Sequence, residues 1–279
     1  MKIEALFRYP VKSMGGERVD ATAVGERGLL GDRAYALVEQ ETGKVASAKN
    51  PGRWGVLFEC HAAFSEEPRS GSELPPVEIT GPGGERIRSD DPGANDALSH
   101  IVGRAVRLEH TPPDGAILEQ YHPTVEGVAE ATDDTVTDEP IAIVAPGTFF
   151  DAAPLHVLTT ASLARLAELA PESSFPAARF RPNIVVATAD DAGFVENAWV
   201  SHSLGLGPEV IASVFLAAPR CVMTTLAQPD LPSDRAVLAT ISRHNRFDIP
   251  GLGPRSCVGV YALVTAGGTM NAGDPVEIT

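Results

Sequence analysis

The chain has 279 residues, 43% of them hydrophobic and 21% charged, with a formal net charge of −15. That length suits two modest domains, and the composition is that of an ordinary globular protein. So acidic a surface repels phosphate backbones and anionic lipid, which argues against nucleic acid and membranes as partners.

The N-terminal Lys2–Tyr9 has strand composition and lacks the long apolar core of a signal peptide. No uninterrupted apolar run of about 18 residues occurs, so no membrane span is expected and the chain reads as cytoplasmic. Val19–Val24 predicts a second strand before the turn-prone Gly25–Gly31. Arg33–Val38 predicts a half-buried strand, joined through a hairpin turn at Glu41–Lys44 to Val45–Ala48. Trp54–Phe64 and Pro76–Thr80 add two strands, with a turn at Gly81–Gly84. Many short strands with regular turns suggest a small barrel.

Asp91–Gly103 predicts a helix, with Asp91 as N-cap, Pro92 at the first helical position and Gly103 as stop. From His110 to Pro140 the chain is rich in Pro, Asp, Glu and Thr, which reads as a connection between domains. Thr160–Leu169 predicts a short helix capped by Thr159 or Thr160, and Ile184–Ala187 and Glu209–Leu216 read as buried strands. Ser233–Arg243 predicts a second helix capped by Ser233, and Cys257–Thr265 and Pro275–Ile278 read as closing strands.

Three cysteines, Cys60, Cys221 and Cys257, form no CxxC pair and no disulfide framework. HExxH, GxSxG, Walker A and GxGxxG patterns are absent. Five other segments can carry chemistry. In Tyr9-Pro10-Val11-Lys12-Ser13, Pro10 ends the strand and leaves Lys12 and Ser13 at its tip. Gly31-Asp32-Arg33 offers either a structural ion pair or an anion-binding guanidinium. In Phe180-Arg181-Pro182-Asn183-Ile184, Arg181 and Asn183 flank a proline, and Asn183 reads equally as a turn cap or as a donor and acceptor for a heterocycle. Thr159, Thr160 and Ser162 stand at a helix start, where plain capping and anion binding both apply. Finally, Cys221 in Arg220-Cys221-Val222-Met223-Thr224-Thr225 follows a buried strand beside a cation that favours thiolate, a soft metal ligand. By contrast Cys257 reads as strand interior.

Together these segments resemble a known family. Tyr9–Ser13 with Gly31–Arg33 is similar to the MOSC N-terminal β-barrel domain. Phe180–Ile184, Arg220–Thr225 and the closing Gly273-Asp274-Pro275-Val276 are similar to the MOSC domain proper. The nearest understood relatives are the mitochondrial amidoxime-reducing component and bacterial MOSC proteins that reduce N-hydroxylated compounds.

The resemblance implies a β-rich α+β fold, an N-terminal β-barrel domain packed on a MOSC β-barrel domain with short helices. It places the first domain at 1–108, a connection at 109–140 and the MOSC domain at 141–279. It implies a molybdenum–molybdopterin cofactor in a cleft between them, with Cys221 as the catalytic metal ligand. Lys12, Ser13, Arg33, Arg181 and Asn183 match positions that grip the pterin and its phosphate, and Thr159, Thr160, Ser162, Arg220 and Thr224 extend the set. Lys49 stands where relatives often carry Arg. Burying Lys12, Arg33 and Arg181 together without an anion would be costly, so they are expected to share a site with a ligand. The activity implied is reduction of N-hydroxylated small molecules, fed by a separate ferredoxin- or flavoprotein-type donor; pyridoxal phosphate is not expected. Two alternatives stand beside it: a cofactor or sulfur carrier acting through Cys221, and a MOSC-fold protein that has lost the metal.

Overall fold

The computed structural model describes residues 1–124, 134–141, 144–188 and 193–279. The first part carries strands β1 (Lys2–Arg8), β2 (Glu17–Val19), β3 (Ala21–Gly25), β4 (Gly28–Leu29), β5 (Ala36–Glu39), β6 (His61–Phe64), β7 (Val77–Thr80), β8 (Arg86–Arg88) and β9 (Val106–Glu109), with helices α1 (Pro51–Trp54) and α2 (Ala94–Val102). Next come β10 (Ile117–His122) and β11 (Thr135–Pro140). The rest carries β12 (Leu155–Thr159), β13 (Ile184–Ala187), β14 (Ser203–Leu206), β15 (Val210–Pro219), β16 (Arg246–Ile249), β17 (Gly253–Ala266), β18 (Gly268–Asn271) and β19 (Val276–Ile278), with α3 (Thr160–Leu169) and α4 (Ala236–His244). The fold is β-rich α+β with short helices, as the sequence implies.

One large sheet runs β19-β14-β15-β17-β12-β13-β1-β2, with β16 on β17. It curls until the β19 end reaches the start of β1: Ile3 donates to the Asp274 carbonyl at 2.8 Å, and Val276 donates to that of Met1 at 3.0 Å. Ile3, Leu6, Val157, Ile184, Val186, Leu204, Val214 and Val260 fill the interior. Alternation along the first half of β15 sends Val210, Ala212 and Val214 there, while an irregularity in β1 between Ile3 and Ala5 lets Ile3 and Leu6 both face inward. A second core, around Leu37, Trp54, Leu57, Ile79, Leu98 and Val106, lies under β5–β9, β6–β7–β8 and α2.

Three local expectations are corrected. The run Trp54–Glu59 is helical, not a strand, because the Asn50 carbonyl accepts from Arg53 and Trp54 and Pro51 starts the turn. Trp54, Leu57 and Phe58 then reach the core at helical spacing, a short apolar run that strand and helix share. Gly93, not Asp91, occupies the cap of α2, while Gly103 ends it at φ 68°. At α4, Asp234 accepts from the Ala236 N–H at 2.9 Å, and the Ser233 hydroxyl turns instead to the Thr225 carbonyl. Part of the expected connection, 125–133, lies outside the described residues. The described part pairs β10 with β11, a ribbon whose mostly exposed β11 gives no burial pattern to read. Among the described residues, no helix is long and apolar enough to cross a membrane.

Candidate functional site

A cavity of about 600 Å³ opens where the N-terminal strand ends face β12, β15 and β17, with the β10–β11 ribbon along one side. Its lining holds eight Lys and Arg side chains, among them Lys12, Arg33, Lys49, Arg181 and Arg220, against the two carboxylates Asp151 and Glu139. In a chain with 37 acidic and 22 basic residues this is a reversal of sign, and it marks the cavity as a place for an anion.

Local backbone chemistry puts these groups there. Strand β1 stops at Arg8 because Pro10 has no N–H, and its carbonyl accepts instead from Tyr35 at 3.0 Å. Lys12 then donates its backbone N–H to Tyr35 at 2.8 Å, and Ser13 turns the chain at φ 65°. Arg33 (φ 46°) and Arg181 (φ 54°) share that left-handed conformation, costly for side chains of their size. Three of the five such non-glycine residues among those described line this one cavity, which is where strain is retained for function.

Asp32 is the hub beneath the cations. Its Oδ1 accepts the Tyr9 N–H at 2.8 Å, and its Oδ2 accepts from Arg33 at 2.5 Å and from the Asn183 amide at 2.9 Å. Asp151 pairs with Lys12 and, at 3.2 Å, with Lys49. Burial works to raise the Asp151 carboxyl, but the two ammonium groups outweigh it and hold it below the ordinary carboxylate range. Burial pulls Lys12 down, with Asp151 opposing.

Lys12 and Arg33 thus already have protein counterions, so the expectation that they need an external anion is narrowed to their neighbours. Arg181 and Arg220 have no carboxylate partner among the described residues. Arg181 donates to the Met14 carbonyl at 2.6 Å; burial, with Arg33 nearby, brings its pKa down to about 10. Arg220 donates to the Phe180 carbonyl at 2.8 Å, while its buried Nε has no hydrogen-bond partner.

Cys221 sits two residues beyond the end of β15. Pro219 stands opposite Cys257, Arg220 donates to the Ser256 carbonyl, and Cys221 begins the turn at Val222–Thr225. Its thiol is half-buried on the cavity wall. Cys60 and Cys257 are buried elsewhere, and burial pushes both thiols up to about 11.

Of the residues singled out from the sequence, the structure brings Lys12, Ser13, Arg33, Arg181, Asn183, Arg220 and Cys221 to the cavity wall. Asn183 is spent internally: its carbonyl takes the His156 N–H and its amide serves Asp32 and the Phe7 carbonyl. Thr159, Thr160, Ser162 and Thr224 are not on the wall. The Thr159 and Ser162 hydroxyls donate to buried Glu196 at 2.6–2.7 Å, Thr160 accepts from the Thr188 N–H, and Thr224 donates to the Cys221 carbonyl at 3.0 Å. Asp151, His156, Tyr261, Phe149 and Phe150 line the cavity and were not anticipated. Only folding brings Asp151 to Lys12, 139 positions away. Burial holds His156 well below the usual imidazole value, so it faces Arg220 uncharged.

Among the described residues no three His, Cys, Asp or Glu side chains group to cage a metal. Cys221 is the one cysteine thiol on this cationic cavity, which fits a metal brought by an anionic organic group that supplies the other ligands.

The family model of the MOSC N-terminal beta barrel domain matches residues 1–56, and that of the MOSC domain matches residues 145–277. No curated protein matches the chain. Among solved structures, the YUAD protein from Bacillus subtilis is similar at 12% identity and TM-score 0.45, over 99% of this chain and 94% of its own. YiiM from Geobacillus stearothermophilus is similar at 15% identity and TM-score 0.32, over 58% of this chain and 75% of its own. MOSC domains are associated with molybdenum-cofactor sulfurase- and oxidoreductase-like proteins. With both signature regions matched in order, this chain belongs to the MOSC-domain proteins.

Proposed function

We propose that this chain binds a molybdenum–molybdopterin cofactor in the cavity and works as an oxidoreductase on N-oxygenated small molecules. The observation that carries the reading is Cys221 on the wall of a cavity where Arg181 and Arg220 lack a carboxylate partner among the described residues.

Cys221 would be the protein's ligand to the metal. Arg181 and Arg220, with the remaining donor capacity of Lys12, Ser13 and Arg33, would hold the phosphate-bearing end. The unpaired Arg220 Nε is a donor awaiting an acceptor. Phe149 and Phe150 keep one wall dry, which strengthens every charge contact inside. When bound, the cofactor would supply the two-electron redox chemistry for reducing an N–OH group. The balanced reaction takes two electrons and two protons and turns a hydroxylamine or amidoxime into the amine or amidine plus water. The electrons come from a separate ferredoxin- or flavoprotein-type donor.

The test is metal and pterin analysis of wild type beside Cys221→Ala, both made in a cofactor-producing host, then N–O reduction with an artificial donor. Wild type should carry both components and Cys221→Ala should lose molybdenum. Wild type free of both would end the cofactor reading. Loaded protein inert on every N-hydroxy compound, with a persulfide on Cys221 by mass, would favour sulfur transfer.

A further inference from the structure

Two guanidinium groups in this cavity lie over one aromatic ring. The Cζ of Arg33 is 4.4 Å and that of Arg181 4.3 Å from the centroid of Tyr9. Arg33 Nη2 also donates to the Arg181 backbone carbonyl at 3.3 Å, which ties the Arg33 side chain to the turn that carries Arg181. Like charges this close repel, and only Arg33 has a carboxylate at contact, Asp32 at 2.5 Å. What Arg181 has instead is π-face: Tyr9, and Phe58 at 5.6 Å. An aromatic face carries negative quadrupole charge and attracts a cation strongly once both are out of water. Tyr9 is 5% exposed, so that condition is met.

We infer that Tyr9 is a positioning residue for the anion-binding end of the cavity: its ring face, not its hydroxyl, holds Arg33 and Arg181 together for a phosphate-bearing ligand. The inference rests on the proposed function for the identity of that ligand, but the ring–arginine relationship stands without it. It differs from ordinary core packing in what it demands. A core position accepts any apolar group of suitable volume, whereas a ring that holds cations must stay aromatic. The backbone of Tyr9 is fixed independently: its N–H goes to Asp32 and its carbonyl accepts from Arg33, both at 2.8 Å. Those bonds survive a side-chain replacement, so the loop keeps its path while the ring is changed.

The experiment compares full-length wild type, Tyr9→Phe, Tyr9→Leu and Tyr9→Met in two ways. Inorganic phosphate is titrated calorimetrically at low salt into protein from a host that does not make the cofactor. Pterin content is measured on the same variants from a host that does. Tyr9→Phe should bind phosphate within about twofold of wild type, and Tyr9→Leu about tenfold more weakly, the loss expected for two cation–π contacts. Pterin content should follow the same order, and Tyr9→Met replaces Tyr9→Leu should the latter not fold. Equal phosphate affinity in wild type and the aliphatic variants, or an equal loss in Tyr9→Phe, overturns the proposal, as does wild type that binds no phosphate. Pterin in wild type with no Tyr9 effect sinks the positioning role alone. An intact phosphate series with no pterin sinks the cofactor reading alone.

Discussion

Asp32 and Asn183, 151 positions apart in the chain, share a buried hydrogen bond of 2.9 Å that ties the turn after β4 to the start of β13. The same carboxylate fixes Tyr9 and Arg33. Removing it strands three donors at once. Asp32→Ala should destabilise the protein by about 3–5 kcal/mol in chemical denaturation, the scale of a broken buried ion pair. A loss under about 1 kcal/mol would show that Asp32 is not the hub described.

Asp151 gives a pH signature. Its carboxyl is held below the ordinary range, so its contribution to stability is present above the unfolded carboxylate pKa, about 4. That contribution drains away as pH falls from there through the depressed folded value. The stability gap between wild type and Asp151→Asn should therefore stay level from about pH 8 to pH 5 and narrow below about pH 4. A gap that widens on acidification contradicts the assignment.

Glu196 should behave in the opposite sense. It is fully buried, and burial raises its pKa despite hydrogen bonds from Ser162, Thr159 and the Gly259 N–H. A raised acid binds its proton more tightly folded than unfolded, so its charge costs stability as pH climbs above about 4.5. Glu196→Gln should gain on wild type over that climb, by thermal melts at matched pH. A difference independent of pH would show that Glu196 does not titrate as described.

Thiol labelling separates the three cysteines. Cys60 and Cys257 are buried with pKa near 11, whereas Cys221 is half-buried on the cavity wall. Brief alkylation of folded, cofactor-free protein should add one label, mapped to Cys221 by peptide mass. Cys221→Ala should lose that label and change stability by less than about 1 kcal/mol, since no core packing is removed. Rapid labelling at Cys257 would contradict the burial assigned to β17.

The sequence carried the strand limits well, because Pro10 follows the end of β1, Pro219 closes β15 and Pro182 stands just before β13, each for a reason visible in the residue itself. Lys12, Arg181 and Cys221 lie within two residues of those prolines, which is why they were legible as site residues. Thr159 and Ser162 were equally legible as hydroxyls at a helix start, yet their partner Glu196 lies 34 or more positions on. No local pattern announces a buried carboxylate that will claim them. Asp151 was silent for the same reason. The helical Trp54–Glu59 was lost to an apolar run too short to show its period.

Strand β1 is hydrogen-bonded to β13 on one side, and residues 273–276 cross its outer start. During synthesis on the ribosome the first strand must therefore wait for partners made some 180 and 270 residues later, and the ring of strands cannot shut before those late residues emerge. Cutting out residues 145–277 as a module would bare the edge of β13 and invite sticking between copies. The two regions thus share one ring of strands, and a chain cut at their border would hold an unfinished one.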